Sequence, residues 1–298
     1  MLGLKKKFIL APFACLLTQL AVAQDEECVL DKSNLDKTIK ICSTVINSDD
    51  KDNLEEAYSV RCAAFALQGK PQIGIGDCNK AIILDPKFSN AYRNRGNAYA
   101  FLNDYDKAYT DLSKAIDLNP QDAKALSNRA SLLLKLERNQ DAATDADAAI
   151  LIDPKLDSAY ITKALVHARK AQFSRALGEM NTAIELNSER SESYRARGII
   201  YIYMKVFDLA VGDLNESIEL NPSDALAYFN RGLAFSYQRD YSNSISDYDK
   251  AIQLDNQLAP AYFNRGLLHI RLGNKIGATR DFEKAIAIDP SFAQRLKQ

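Results

Sequence analysis

Residues 92–99 read Tyr-Arg-Asn-Arg-Gly-Asn-Ala-Tyr, and a closely similar Tyr-Phe-Asn-Arg-Gly stands at 228–232 and again at 262–266. The second and third copies lie 34 residues apart, and the first lies four such steps upstream. A second marker, a Leu or Ile followed by Asp or Asn and usually by Pro, recurs at this step seven times between Leu84 and Ile288. Because unrelated helices would differ in length, the constant step predicts seven copies of one structural module stacked on each other.

These seven units fill residues 55–292, and the positions of each unit are numbered here from 1 to 34, starting at residue 55. Apolar residues three and four apart predict a first helix over about positions 1–14 and a second over about positions 18–31. Position 20 is small in every unit, and so is position 8, which holds Cys62, Gly96, Ala130, Ala164, Gly198, Gly232 and Gly266. Small residues on both helices let an antiparallel pair approach closely, so the pattern predicts a stack of helical hairpins.

Small residues at positions 8 and 20, a bulky residue at 11, Ala at 27 and Pro at 32 resemble the tetratricopeptide repeat family. The resemblance covers about four fifths of the chain, with Ser188 and Asn256 replacing the Pro in two units. It implies an all-α fold, a right-handed superhelical solenoid of antiparallel helix pairs. Upstream, residues 24–54 are interpreted as a degenerate capping repeat closed by a disulfide, and residues 293–298 as a C-terminal tail.

Residues 1–23 have the three-part layout of a cleaved signal peptide. Three lysines at 5–7 precede an uncharged, mostly apolar stretch, and Ala-Val-Ala at 21–23 is a small-x-small cleavage site. The competing interpretation is lipid attachment at Cys15, which lacks the usual aliphatic residue before it. We therefore expect an exported protein without a membrane-spanning segment after cleavage. A bacterial periplasm is the favoured compartment, and secretion or a lipid anchor are the alternatives.

Four cysteines, Cys28, Cys42, Cys62 and Cys78, lie near the start of the mature chain. An even number in an oxidising compartment indicates disulfides, and three pairings are possible. We favour Cys28 with Cys42 and Cys62 with Cys78, because each pair would join two consecutive helices. The alternative is a metal or thiol redox site, but the chain contains no Cys-x-x-Cys.

Charge and motifs argue against nucleic-acid binding and against catalysis. The chain has 38 basic and 39 acidic residues, and each Arg or Lys at position 7 is matched by an Asp or Glu at position 23 of its unit. We interpret these as internal ion pairs rather than a site for a polyanion. His167 and His269 both occupy the bulky position 11, and no phosphate-binding loop or nucleophile motif occurs. We expect no enzyme activity, no metal and no cofactor.

The family resemblance implies a concave groove lined by positions 2, 5, 9, 12 and 13 of the first helices, which holds a peptide or helix of a partner protein. Applied to this sequence, the early groove is polar and the later groove apolar. The predicted contacts are Arg93, Asn97 and Asn128 early in the groove and Phe229, Leu233, Tyr237, Phe263 and Leu267 later in it. The competing interpretation of the apolar set is packing of the solenoid on itself.

Some family members grip a partner's terminal carboxylate with such residues, and Arg93, Asn97 and Asn128 match that arrangement. The next unit offers Ser158 and Thr162 where cations are needed, so recognition of that kind is not predicted. The sequence predicts a noncatalytic scaffold of the cell envelope that binds a protein or peptide. The alternatives are a structural component acting through its convex face or ends, a thiol redox factor and a chaperone factor. The short C-terminal tail also predicts a possible homo-oligomer through that end.

Overall fold

The computed structural model describes residues 27–48 and 52–296 of the chain. The signal segment predicted over residues 1–23 lies outside this part. The described residues form sixteen helices and no strand. In chain order the helices are α1 Leu35–Asn47, α2 Leu54–Leu67, α3 Pro71–Leu84, α4 Ser89–Phe101, α5 Tyr105–Leu118, α6 Ala123–Lys135, α7 Asn139–Ile152, α8 Asp157–Arg169, α9 Phe173–Leu186, α10 Ser191–Tyr203, α11 Phe207–Leu220, α12 Ala225–Tyr237, α13 Tyr241–Leu254, α14 Ala259–Arg271, α15 Lys275–Ile288 and α16 Phe292–Arg295.

Helices pack in consecutive pairs, from α2 on α3 to α14 on α15, and each pair stacks on the next. This arrangement is the predicted solenoid of antiparallel helix pairs. First helices of neighbouring repeats also contact each other, as α2 contacts α4 and α10 contacts α12. Among the described helices, second helices of neighbouring repeats make no contact of similar extent. Neighbouring repeats are therefore closest on the side of the first helices, which places that side on the inside of the curve.

The two helices of a repeat touch where the sequence has its small residues. A Cβ added at Gly198 would lie 2.8 Å from Leu214 Cγ, and one added at Gly74 would lie 2.6 Å from the carbonyl oxygen of Cys62. Position 8 thus faces the side chain at position 24, and position 20 faces the backbone of the first helix. A larger residue at either place would push the helices apart.

The turn inside each hairpin needs one residue in the left-handed backbone region. In every repeat this residue is at position 15, and it is Gly at Gly69 and Gly273. The other five repeats use Asn103, Glu137, Ala171, Lys205 and Arg239, all with positive φ. Left-handed backbone costs a residue with a Cβ about 1–2 kcal/mol, so four of these turns carry strain that Gly or Asn would reduce.

Disulfides join Cys28 to Cys42 and Cys62 to Cys78, the pairing favoured from the sequence. Cys62 and Cys78 link α2 to α3 at positions 8 and 24, where four other repeats pack a glycine against a large side chain. The expectation that Cys28 lies on a helix is wrong, because residues 27–34 form an irregular segment with a turn at Lys32 and Ser33. Asp31 stabilises that turn by accepting hydrogen bonds from the Ser33 amide and hydroxyl, which competes with helix formation.

Candidate functional site

A cavity of about 550 Å³ lies on the concave side, between the first helices of the first four repeats. Arg93, Asn97 and Asn128 all line it, so the structure brings together the three polar residues singled out in the early groove. The lining residues of α2, α4 and α6 come almost entirely from positions 2, 5, 6, 9, 12 and 13. These positions recur every three to four residues, and they form one face of each helix because the α-helix has 3.6 residues per turn.

Arg93 is held in place from within its own repeat. Its Nη1 donates to Asp122 Oδ2 at 2.5 Å, while the other carboxylate oxygen of Asp122 accepts from the Ala125 amide at the start of α6. Arg93 is therefore half-buried and oriented, with its charge already matched by an acid. The side chains of Asn97 and Asn128 make no hydrogen bond within the described residues, so both amides are available to a ligand.

The two positions where a carboxylate clamp would need cations are occupied by paired hydroxyls. Ser158 Oγ lies 2.8 Å from Ser127 Oγ, and Thr162 Oγ1 lies 3.0 Å from Ser131 Oγ. These pairs join α6 to α8 across the repeat boundary. The structure therefore gives the fourth repeat no cation at either position.

Other charged side chains surround the cavity instead. Lys124 and Lys135 are exposed on its wall, and the Lys135 ammonium lies 6.0 Å from the centre of the Tyr105 ring. Arg190 also lines the cavity and pairs with Asp157, Nε to Oδ2 at 3.1 Å. Among the described residues that line the cavity, Asp157 is the one acid. The wall therefore carries an excess of positive charge.

Two cavity residues, Leu30 and Lys32, come from the irregular segment that precedes α1. Sequence analysis missed them because nothing in the 34-residue pattern extends to this segment. The predicted disulfide between Cys28 and Cys42 was a partial indication of their position, because it holds the residues next to Cys28 close to α1, which packs on the first repeat.

Farther along the concave side, five large apolar side chains are exposed, and we call them the apolar surface. They are Tyr203, Leu226, Tyr237, Leu267 and Ile270, with exposed fractions of 69%, 42%, 56%, 46% and 53%. The two tyrosines stack on the second helix of the preceding repeat. Tyr237 lies over Phe207 with ring centroids 5.1 Å apart, and Tyr203 lies over Phe173 at 6.3 Å. Stacking leaves one face of each ring free and restricts its rotation.

The structure corrects the later-groove prediction for Phe263. Phe263 is only 9% exposed, with its ring 4.9 Å from Phe292 and 5.5 Å from Phe282, so it belongs to the core that closes the last repeat. Phe229 is half-buried against Tyr248 at 5.8 Å, and Leu233 is half-buried in the cluster around Leu214. Position 5 lies too deep in these repeats to present a whole side chain to a partner.

In three repeats the residue at position 5 contacts the residue at position 34 of the same repeat. Arg93 pairs with Asp122, and Arg195 pairs with Asp224 at 2.8 Å. In the last repeat the same two positions hold Phe263 and Phe292, which pack ring against ring. Positions 5 and 34 of one repeat thus carry either two opposite charges or two aromatic rings. Sequence analysis could have used this matching to place Phe263 in the core.

The predicted ion pairs at positions 7 and 23 form in all seven repeats. In six of them Arg donates two hydrogen bonds to Asp, at 2.6–2.9 Å. In the remaining repeat Lys163 lies 3.1 Å from Glu179. Hydrogen bonding to Asp213 raises the pKa of Arg197, as expected for a cation held by a carboxylate. Arg197 Nη1 also donates to Asn181 of the preceding repeat at 2.8 Å. The row of Arg–Asp pairs at positions 7 and 23, which we call the arginine ladder, therefore links repeats as well as helices.

The two histidines, which are the remaining candidates for a metal or catalytic role, each lie beside a side chain of their own repeat. His167 Nδ1 lies 2.8 Å from Gln172 Oε1, and His269 Nε2 lies 3.8 Å from Asp281 Oδ2. The described part of the chain contains no cluster of His, Cys, Asp and Glu suited to a metal ion. Over residues 27–48 and 52–296, no helix combines the length and the apolar character needed to span a bilayer.

Comparison with known proteins agrees with this architecture. Residues 89–122, 225–257 and 259–292 match sequence profiles of the tetratricopeptide repeat. Hsp70-Hsp90 organizing protein 3 of Arabidopsis thaliana is 40% identical over 52 residues, which are 17% of this chain and 9% of the Arabidopsis protein. This relative is therefore matched over less than a tenth of its length.

Solved structures share the fold at low sequence identity. The Cut9–Hcn1 hetero-tetramer of the APC/C is similar with a TM-score of 0.78 and 16% identity, covering 89% of this chain and 52% of that chain. This chain thus spans about half of that protein. A tetratricopeptide repeat protein from Parabacteroides merdae has a TM-score of 0.61 and 18% identity, covering 82% of this chain and 97% of that chain. The chain carries tetratricopeptide repeats in a solenoid, a fold that typically serves as a noncatalytic scaffold for protein–protein interaction.

Proposed function

We propose that this solenoid is a noncatalytic adaptor of the cell envelope that binds a peptide or helix of a partner protein in its concave groove. The observation that carries the proposal is the division of the concave side into two parts. The first is the cavity with the free amides of Asn97 and Asn128, and the second is the apolar surface on α10, α12 and α14. A ligand lying along the groove would meet hydrogen-bonding groups first and apolar anchors second.

Energetics favour a partner on the apolar surface. Burial of apolar area stabilises a complex by roughly 25 cal/mol per Å², and side chains whose rotation is already restricted lose less entropy on binding. Tyr203 and Tyr237 meet that condition because each is stacked on a phenylalanine of the preceding repeat. Aromatic anchors with one free face are frequent contributors to protein interfaces.

We propose that the protein is exported to an oxidising compartment, the periplasm. The two disulfides support this proposal. Cys42, Cys62 and Cys78 are fully buried, and each disulfide joins consecutive parts of the fold. Disulfides of this structural kind persist where thiols are not kept reduced. Their burial also gives the thiol redox alternative no accessible sulfur at these three residues.

The test compares groove and convex-face variants of the purified protein. Wild type, Tyr237→Ala with Leu267→Ala, and Ile83→Ala with Leu151→Ala are crosslinked in native extract, and captured proteins are quantified. Ile83 and Leu151 are exposed on the second helices α3 and α7, so that pair removes the same kind of surface from the other side. We expect the groove pair to reduce capture of a specific protein about tenfold or more, and the convex pair to leave it unchanged. Equal capture by all three proteins would contradict the proposal.

A second candidate, assembly through the C-terminal end, is favoured by a separate observation. Leu272 and Ile276 are exposed at the turn between α14 and α15, and Leu296 is exposed directly after α16. We take the exposed apolar side chains at the α14–α15 turn as the surface that would pair with a second copy. Sedimentation of the wild type should then show a dimer that Ile276→Asp disperses, and a monomeric wild type at micromolar concentration would contradict it.

A further inference from the structure

The irregular segment over residues 27–34 is fixed to the fold at its start and near α1. The Cys28–Cys42 disulfide ties its start to α1. Thr38, which is fully buried on α1, accepts a hydrogen bond from the Asp31 amide at 3.0 Å through its hydroxyl oxygen. α1 itself packs on α2, and Gln68 Nε2 donates to Asp36 Oδ1 at 2.6 Å between them. The segment therefore has a defined place although it belongs to no helix.

That place is the wall of the cavity. Leu30 and Lys32 line the same space as Arg93, Asn97 and Asn128, which belong to the second and third repeats. The segment thus extends the groove beyond the surface that the repeats alone provide. Lys32 is exposed, so its ammonium is available to a bound ligand.

The charges on this wall are unequal. Arg93 and Arg190 have acidic partners, Asp122 and Asp157. Lys32, Lys124 and Lys135 also line the cavity, and none of the three makes an ion pair within the described residues. Three unpaired ammonium groups around one cavity attract carboxylates. The amides of Asn97 and Asn128 offer donors and acceptors of the kind that a peptide backbone uses.

We propose that the cavity binds an acidic, extended segment of a partner protein, and that the disulfide-held segment contributes Lys32 and Leu30 to this binding site. The proposal rests on the proposed function, and it assigns the partner's chemistry to the first half of the groove. Lys32, Lys124 and Lys135 contact its carboxylates, while Asn97 and Asn128 contact its main chain. A nucleic acid is disfavoured because the arginine ladder is internally paired and the chain has a net charge of -1.

The disulfide becomes part of the binding site through this geometry. Without the Cys28–Cys42 bond, residues 27–34 keep the hydrogen bonds to Thr38 and the Asn34 cap of α1 but lose the covalent link at their start, so Leu30 and Lys32 are held less firmly on the wall. A binding group that must be ordered on association contributes less affinity than one already in place. Loss of this disulfide should therefore weaken binding of the acidic ligand even though the repeats remain folded.

The probe is a fluorescein-labelled dodecapeptide amide of alternating Glu and Ala, compared with the same peptide in which Gln replaces Glu. Binding to the oxidised full chain is followed by fluorescence anisotropy at low and high salt. We expect the Glu peptide to bind at least about tenfold more tightly at low salt and to lose this advantage at high salt. A version of the Glu peptide with a free C-terminal carboxylate separates side-chain recognition from end recognition, and we expect both versions to bind equally.

Two variants test the segment. Lys32→Gln should weaken binding of the Glu peptide roughly threefold, which is the effect expected from the loss of one exposed ion pair. Cys28→Ser with Cys42→Ser should weaken it about tenfold, with circular dichroism reporting whether the repeats stay helical. Lys40→Gln is the matched control, because Lys40 is exposed on α1 and does not line the cavity. If the cysteine variant does not fold, Lys32→Gln with its control still decides the question.

Several results would overturn the inference. They are equal binding of the Glu and Gln peptides, no binding of either, equal loss with Lys32→Gln and Lys40→Gln, or tighter binding of a single-stranded oligonucleotide to the same lysines. These results leave the proposed function standing if the Tyr237→Ala, Leu267→Ala protein still loses its captured partner. Conversely, if that protein keeps its partner while the Glu peptide requires Lys32, the cavity binds acidic peptides but the wider groove assignment fails.

Discussion

Lys205 lies at position 15 of its repeat, in the tight turn between α10 and α11, with φ of +63°. The same turn is made by Gly69 and Gly273 in the first and last repeats, so the backbone there requires a conformation that a Cβ disfavours. The strain is a property of one residue, and it can be relieved without moving either helix.

Lys205→Gly should therefore raise the free energy of unfolding. The gain is about 0.5–1 kcal/mol, because relief of left-handed strain exceeds the added entropy of the unfolded chain. Lys114→Gly, at an exposed site inside α5, should lower stability by about 1 kcal/mol. Urea unfolding followed by circular dichroism measures both. A loss of stability in Lys205→Gly would mean that the lysine side chain makes a contact that outweighs the strain.

Tyr248 is another single-residue case, because it is fully buried and its hydroxyl meets no described partner at good hydrogen-bond geometry, although the Ser244 and Asn264 side chains lie near it. Burial raises the pKa of Tyr248 to about 12. The unfolded chain loses this proton near pH 10. Between pH 10 and pH 12 the unfolded state is therefore ionised before the folded state, and the contribution of Tyr248 to stability falls as the pH rises.

Tyr248→Phe removes both the unpaired hydroxyl and this ionisation. At pH 8 the variant should be at least as stable as wild type, within about 1 kcal/mol, and its advantage should grow between pH 10 and pH 12. Urea unfolding at pH 8 and pH 11 measures the change. Tyr160→Phe is the control, because the Tyr160 hydroxyl donates to the Pro154 carbonyl at 3.1 Å and its removal should bring no gain at pH 8. A clear loss in Tyr248→Phe at pH 8 would show that the hydroxyl has a partner.

At the scale of the element, each repeat is held together where position 8 meets position 24. Gly198 meets Leu214, Gly266 meets Phe282, and in the first repeat a disulfide between Cys62 and Cys78 replaces the packing contact. The paired Arg and Asp at positions 7 and 23 lie beside it and fix the two helices in register. One helical hairpin therefore combines a close contact and an ion pair at neighbouring positions.

Gly198→Ala tests the close contact. The new Cβ would lie 2.8 Å from Leu214 Cγ, and this overpacking should destabilise the protein by about 1–3 kcal/mol. Gly212→Ala on the partner helix α11 is the matched control, since a Cβ there meets nothing within 4 Å. It should stabilise the helix by roughly 0.5–1 kcal/mol. Thermal unfolding of the two variants should shift in opposite directions, and a shared direction would contradict the helix contact described here.

At the scale of the whole molecule, each repeat within residues 27–48 and 52–296 makes its extensive contacts with its neighbours, so the ends of this stack are its weakest points. The two ends are closed differently. The start has α1 and a disulfide-held segment, whereas the last repeat is closed by Phe292 of α16 packing on Phe263. Closure at the second end depends on the packing of a few aromatic rings.

Phe263→Ala should therefore destabilise the last repeat by about 3–5 kcal/mol, because it leaves a cavity beneath α16. Tyr237→Ala should cost about 1 kcal/mol, since Tyr237 is half exposed and stacks on one ring only. Hydrogen exchange should locate the first loss in α14 to α16, and urea unfolding gives the sizes. If Phe263→Ala instead keeps full stability, the ring is not part of the core and its assignment to the groove is restored.

The 34-residue pattern was sufficient to predict the helical hairpins and the internal ion pairs, whereas the face of the first helices that lines the cavity was predicted from the family resemblance. These features repeat, and a helix presents every third or fourth residue on one side whatever surrounds it. The pattern could not show how deep each position lies. Phe263 and Leu267 are four residues apart on one helix, yet the first is in the core and the second is exposed.

The sequence by itself determined the module, its number of copies and the pairing of its helices, because these depend on local periodicity and on small residues at fixed positions. Only the tertiary structure decided which groove residues are accessible, since that depends on the curvature of the stack and on what covers each end. It also decided that Leu30 and Lys32 line the cavity beside Asn97 and Asn128. Their segment follows no periodic pattern, and a disulfide and one buried threonine fix its position.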